Sequence, residues 1–388
     1  YGTFNGDLDD GSNSLKRWFW EYKVVRPLHD NTNEPWAEIC FGGVPQPWTG
    51  EQPQSEYDAV AASGIEAVKM DWGWYGKTGD PKKKEDWQFS PKEYPHGFNF
   101  GIRAHAAGMN ASLYMGGTYL DCDMNKIQCR DTELEQIRMR FDATWMDQWR
   151  TDTYTAPENP MPDTFIGISN FYYILDTMLA TRPGFRYENC ANGGRYKGFS
   201  TARRFMYMTA NDADSDSGTD YRATVWNAGH ALNPIQLKSD VQVKNFPVDF
   251  MIRTSMIGAM MLCGVNSSDP VYREHVALYK SKQRPILRGG NMYHILPKPD
   301  GTNWDGFEFF HPGLQAGSVF LFKPSARAVD GSSKRIFLKG LRRSDSYKLT
   351  FQSRTAQSTT MSGADLMLAG LNVTGLEGDH ASELIWIN

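Results

Sequence analysis

Ile65-Glu66-Ala67-Val68-Lys69-Met70-Asp71-Trp72-Gly73-Trp74-Tyr75-Gly76 decides the fold. A helical pattern from Glu56 to Ala62 and a stop at Gly64 precede it, and its short apolar run ends in an acidic residue and a polar, glycine-bearing loop. Helix, strand, polar loop is the βα unit. Before it, Ala37 to Phe41 enters the loop Gly42-Gly43-Val44-Pro45. After it, Ala111 to Met115 follows a helix from Phe100 to Ala107, and Ala143 to Met146 precedes Asp147. Phe185 to Tyr187 precedes Glu188-Asn189-Cys190, and Phe205 to Met208 enters Asn211-Asp212-Ala213-Asp214-Ser215-Asp216. Weaker runs near Ile235 to Leu237 and Met260 to Val265 bring the strands to eight. The expected class is α/β, a (β/α)8 TIM-type barrel over residues 36–299.

From residue 300 the pattern becomes short strands with turn signals: Gly306 to Phe310, Ser318 to Lys323, Arg335 to Lys339, Tyr347 to Phe351, Asp365 to Ala369 and Glu383 to Ile387. An antiparallel C-terminal β-sandwich over 300–388 is expected. Residues 1–35 carry no such unit and read as a connector from an N-terminal domain outside this chain.

Across 388 residues, 41 Lys and Arg stand against 45 Asp and Glu, a net charge of -4. No basic block could neutralise phosphates, so nucleic acid is not an expected partner. The longest apolar run, Ser255 to Val265, is shorter than the ~20 residues of a membrane helix, so a soluble protein is expected. Five scattered cysteines do not read as a disulfide framework, and their odd number leaves at least one thiol unpaired. Cytoplasmic and secreted or periplasmic locations both fit, and homo-oligomerisation stays open. The 12 Trp suit a site that stacks on sugar rings as well as an aromatic-rich core. In a barrel, loops after the C-terminal strand ends converge, so Asp71, Asp147, Glu188 and Asp212 could meet there.

Gly6-Asp7-Leu8-Asp9-Asp10-Gly11-Ser12, Met70-Asp71-Trp72-Gly73-Trp74, Trp145-Met146-Asp147, Glu188-Asn189-Cys190-Ala191-Asn192-Gly193-Gly194-Arg195, Asn211-Asp212-Ala213-Asp214, Tyr279-Lys280 and Arg288-Gly289-Gly290 occur in this order. Together they resemble the bacterial α-galactosidases of glycoside hydrolase clan D, family 36, without that family's N-terminal β-supersandwich. The resemblance implies a retaining exo-α-glycosidase acting on an oligosaccharide or glycoconjugate, with no metal or other cofactor and with two catalytic carboxyl groups. The nucleophile, the Asp closing a Lys-x-Asp motif after strand four, falls on Asp147. The acid/base falls on Asp212 or Asp214, with Asp220 a third choice. Cys190 and Gly193 match a Cys-x-x-Gly element beneath sugar C2, and Arg195 matches the Arg that ends it.

In this alignment Trp145 takes the place of the family's Lys, and Asp71-Trp72 replaces a pair of Asp. Tyr114 stands for a strand-three Trp. With Glu188, these are the expected sugar contacts. A Trp-richer pocket suits an N-acetylated sugar, so the expected substrate is an α-galactoside or an α-N-acetylgalactosaminide. A catalytically inactive, lectin-like glycan-binding barrel is the alternative. Calcium at Asp212, Asp214 and Asp216 is disfavoured, because Gly218 is one place late and Ala223 occupies the bidentate position.

Overall fold

The computed structural model describes residues 3–25, 34–40, 52–71, 74, 94, 97–115, 123–151, 155–156, 159–160, 165–190, 194, 197–204, 206–211, 218–242, 246–264, 266–353 and 358–388. Eight parallel strands alternate with helices. They are β1 Glu38–Cys40, β2 Ala67–Met70, β3 Asn110–Tyr114, β4 Gln148–Thr151, β5 Arg186–Asn189, β6 Tyr207–Thr209, β7 in two halves, Leu237–Lys238 and Val241–Gln242, and β8 Met261–Cys263. The first half of β7 pairs with β6 and the second with β8. β8 in turn pairs with β1, Glu38 beside Met261, so the ring closes as a (β/α)8 barrel.

The helices of the barrel and the segment before it include α1 Leu8–Tyr22, α2 Gln54–Ala62, α3 Phe100–Ala106, α4 Ile127–Thr144, α5 Phe165–Thr181, α6 Phe199–Ala202, α7 Thr219–Ala228, α8 Val248–Ser255 and α9 Pro270–Leu278. α1 occupies the segment expected as a connector. Asp7 caps it, in a reciprocal capping box with Asp10.

The fourth strand departs from expectation. Ala143 and Thr144 are the last turn of α4, whose buried residues Cys129, Glu133, Leu134, Ile137, Phe141 and Thr144 recur at helical spacing. Trp145 ends the helix in a left-handed conformation (φ 56°), and the strand begins only at Gln148.

The second layer is antiparallel: β9 Asn291–His294, β10 Asp305–His311, β11 Ala316–Lys323, β12 Ser333–Ile336, β13 Ser346–Phe351, β14 Thr359–Ser362, β15 Leu371–Thr374 and β16 Ala381–Ile387. Six form one sheet in the order β9-β10-β11-β16-β13-β14, facing the pair β12-β15. The expected strand Asp365 to Ala369 is instead a helix, Gly363–Leu368. The Ser362 side chain accepts from the Asp365 amide and nucleates it. Alternation explains why the central strands are apolar on both faces. Val319, Leu321, Ile385 and Ile387 enter the sandwich core, whereas Phe320, Phe322, Leu384 and Trp386 pack into the barrel's core.

Candidate active site at the C-terminal mouth of the barrel

Inside the barrel, alternate strand positions carry charged or polar groups instead of branched aliphatics. Glu38, Lys69, Gln148, Arg150, Glu188 and Lys238 are all buried. Lys238 Nζ donates to Glu38 Oε2 and Glu188 Oε2, each at 2.6 Å. Glu188 also accepts from Gln148 Nε2 at 2.8 Å and Thr209 Oγ1 at 3.0 Å. Burial pushes the Glu38 carboxyl up, a shift that Lys238 opposes. Burial would also raise Glu188, but Lys238, Arg150 and Lys69 outweigh it and hold the carboxyl well below its ordinary value.

Nearer the C-terminal ends lies a second layer. Asp71, directly after β2, is 3.3 Å from Lys69 Nζ and 3.4 Å from Arg150 Nη1. Asp240, in the break of β7, is 3.5 Å from Lys69 and 3.1 Å from Arg150 through Oδ2. Two cations therefore stand between two carboxylates. Burial would discharge Arg150 and Lys69, but their acidic neighbours outweigh it and keep both charged. Of the two acids, the Asp71 side chain is 23% exposed and Asp240 8%. Asp71 is thus the one that faces outward.

Cys40 and Cys263, at the ends of adjacent β1 and β8, are joined by a disulfide. The cysteines do not read as a disulfide framework, and their spacing gives no sign of this pair, 223 residues apart. Cys190, after β5, is buried and takes part in no disulfide. Lys197 donates to the Ala210 carbonyl at 3.1 Å, and burial pulls its ammonium down to about 8 against the pull of nearby Cys190. A cavity of about 10 Å³, enough for roughly one water, lies among Asn211, Tyr221, Asp240 and Gln242.

Among the described residues two groups have the spacing of metal ligands: Cys40, Asp240 and Cys263, and Asp9, His230 and His294. In the first the sulfurs are bonded to each other. In the second, His294 faces Asp9 through Nδ1 at 2.5 Å and the Trp226 carbonyl through Nε2 at 2.8 Å, so both ring nitrogens are engaged.

Of the residues expected from sequence, Asp71, Tyr114 and Cys190 lie at the C-terminal strand ends. Tyr114 is buried, and its carbonyl accepts from Trp74 Nε1 at 2.7 Å. Glu188 is fully buried in the ionic layer below and contacts protein groups, which corrects its reading as a sugar contact. Trp72, Gly193, Arg195, Asp212, Asp214 and Asp216 lie outside the described residues. Asp220 is an exposed residue in the first turn of α7.

Asp147 is the main correction. It precedes β4 and stands at the barrel's N-terminal end, where its Oδ2 accepts from the Ala111 amide at 2.8 Å and meets His105 Nε2 at 2.7 Å. About 3.3 Å of strand per residue separates it from the mouth by roughly 13 Å. Trp145 lies at the same end, with its ring 6.5 Å from that of His105. The cation inside β4 is Arg150. Lys69, Arg150 and Asp240 were missed, although a charged residue inside an otherwise apolar strand, as in Val68-Lys69-Met70, is a signal for a lumen position.

Residues 304–387 match the model of the Glycosyl hydrolase family 36 C-terminal domain. Alpha-galactosidase 2 of Hypocrea jecorina is 21% identical over 379 residues, spanning 84% of this chain and 49% of that protein. The chain thus spans about half the length of that relative. The galactosidase domain of the α-galactosidase-sucrose kinase AgaSK superposes with a TM-score of 0.82 at 16% identity, over 98% of this chain and 58% of that one. AgaA of Geobacillus stearothermophilus, an α-galactosidase in complex with 1-deoxygalactonojirimycin, gives 0.83 at 14% identity, over 98% and 59%. These likenesses establish a common fold.

Proposed function

From a chain that carries the C-terminal domain of glycoside hydrolase family 36 behind a barrel of that family's fold, we propose a retaining exo-α-glycosidase acting on terminal galactose-type sugars. The observation that carries this reading is the convergence of Asp71, Lys69, Arg150 and Asp240 from β2, β4 and β7 on the C-terminal mouth. Such a set offers acceptors and charged donors to the hydroxyls of a neutral sugar.

The nucleophile assigned by this reading is Asp152. It lies outside the described residues and follows Thr151, the last residue of β4. Arg150-Thr151-Asp152 supplies the cation-x-Asp pattern that Trp145-Met146-Asp147 lacks. The carboxylate attacks the anomeric carbon as the glycosidic C–O bond breaks, and the acid/base gives its proton to the departing oxygen. The same acid/base then takes a proton from water, which attacks the anomeric carbon as the ester bond breaks, so the sugar leaves with net retention and the carboxylate is restored. The acid/base belongs to the loop after β6, with Asp212 and Asp214 both eligible. Asn211, just past β6, is an amide and cannot serve as the acid. That amide favours the second reading, a barrel that binds glycans without cleaving them, if neither aspartate fills the role.

A panel of p-nitrophenyl glycosides, α-galactoside beside α-N-acetylgalactosaminide, tests the reading. Turnover of either is expected, with label from a 2-deoxy-2-fluoro glycoside on the peptide containing Asp152. Glycan binding with no turnover across the panel would establish the lectin-like reading instead.

A further inference from the structure

We propose that Asp240 is a positioning residue of the sugar site, keeping Arg150 and Lys69 from closing onto Asp71. The inference rests on the glycosidase reading above. Asp240 sits where β7 is interrupted, and Ser239 is what holds the interruption open. The Ser239 amide donates to the Ala259 carbonyl at 3.0 Å. Its hydroxyl donates to the Met261 carbonyl at 2.7 Å and accepts from the Met261 amide at 2.8 Å. Ser239 thus ties β7 to β8, and the next side chain, Asp240, turns to the cations of the lumen.

Arg150 Nη1 lies 3.1 Å from Asp240, 3.4 Å from Asp71 and 3.5 Å from Glu188. One nitrogen with two hydrogens cannot bond well to three carboxylates, and the shortest contact goes to the most enclosed mouth acid. Lys69 is shared by the same two acids but leans the other way, 3.3 Å from Asp71 and 3.5 Å from Asp240. Asp240 therefore draws the Arg150 charge inward and holds a share of Lys69, so less of the acceptor capacity of the outward Asp71 is taken by protein cations. The wall behind it is fixed, because Cys263 Sγ, 3.5 Å from Asp240 Oδ1, is bonded to Cys40.

Without the Asp240 charge both cations turn to Asp71 and compete with sugar hydroxyls. The loss is one of binding, shared by ground and transition states, so KM changes and kcat does not. In Asp240→Asn, KM for p-nitrophenyl α-galactoside, or for whichever panel glycoside is turned over, is expected to rise about tenfold with kcat within about twofold. The affinity for the matching free sugar, galactose or N-acetylgalactosamine, measured by tryptophan fluorescence, should fall in parallel. These sugars are neutral, so the removed charge has no direct pull on the probe. Asp240→Glu, which keeps the charge, should return KM to within about threefold of wild type. If Asp240→Asn does not fold, Asp240→Ser is read in its place with the same expectation. An unchanged KM, or a fall in kcat with KM constant, overturns the inference. If the wild type neither turns over the panel nor binds either sugar, the glycosidase reading itself has failed.

Discussion

Asp147 and Arg150 lie three residues apart and face opposite ends of the barrel. Asp147→Ala removes the acceptor of the Ala111 amide and the partner of His105 at the N-terminal end. It should cost about 1–3 kcal/mol in urea unfolding and leave kcat and KM within about twofold. A hundredfold loss of kcat would return Asp147 to the chemistry. Glu188 is the opposite kind of residue, acidic and wholly internal, shared by Lys238, Gln148, Thr209 and Arg150. Glu188→Ala leaves buried cations short of an anion, and a loss of roughly 3–5 kcal/mol is expected in thermal or chemical unfolding. A loss below about 1 kcal/mol would show that the lumen relaxes around the missing charge.

At the scale of elements, α1 inverts the usual amphipathic rule. Its buried face is mostly polar, with Asp9, Ser12, Asn13 and Lys16 beside the single apolar Phe19, while Leu8, Leu15, Trp18 and Tyr22 are exposed. Specific bonds hold it in place. Asn13 exchanges two hydrogen bonds of 3.0 Å with the Met292 backbone, and Asp9 accepts from the His294 amide at 3.1 Å. Apolar periodicity could not reveal a helix docked by its polar side. Lys16 Nζ is buried with no hydrogen-bond partner among the described residues, and burial pulls its pKa down to about 7. Between pH 7 and the unfolded value near 10.5 the unfolded chain holds a proton that the folded one lacks. Stability therefore rises with pH across that window, and the penalty is full below pH 7. Lys16→Met should stabilise the protein by a few kcal/mol at pH 6, with the gain fading toward pH 10. Melting curves at the two pH values check this, and an equal gain at both would rule out the buried ammonium as its cause. α4 shows the other way an element can mislead. Its final turn, Ala143 and Thr144, was read as strand because a short apolar run before an acid fits either form.

At the scale of the molecule, barrel and sandwich share a core through a sheet buried on both faces, and the Cys40–Cys263 disulfide ties β1 to β8 across 223 residues of sequence. Replacing Cys40 with Ser should lower unfolding stability by roughly 2–5 kcal/mol. Because Cys129 is also disulfide-bonded, a reductant should shift both proteins, wild type further than the variant; equal shifts would place the effect elsewhere. Legible in the residues alone were the class of the fold, the near-complete order of its strands, the sandwich that follows and the placing of Asp71 and Cys190 at strand ends. Those follow from local period and loop chemistry, which each segment carries alone. The folded barrel sets where β4 begins, turns Asp147 away from the mouth, encloses Glu188, and brings Lys69, Arg150 and Asp240 together and Cys40 to Cys263. The reason is geometric. Each residue of strand moves a side chain about 3.3 Å along the barrel and flips its face, so a small error of register exchanges one end for the other. Which charges meet depends on strand neighbours brought together by ring closure, and no single segment encodes them.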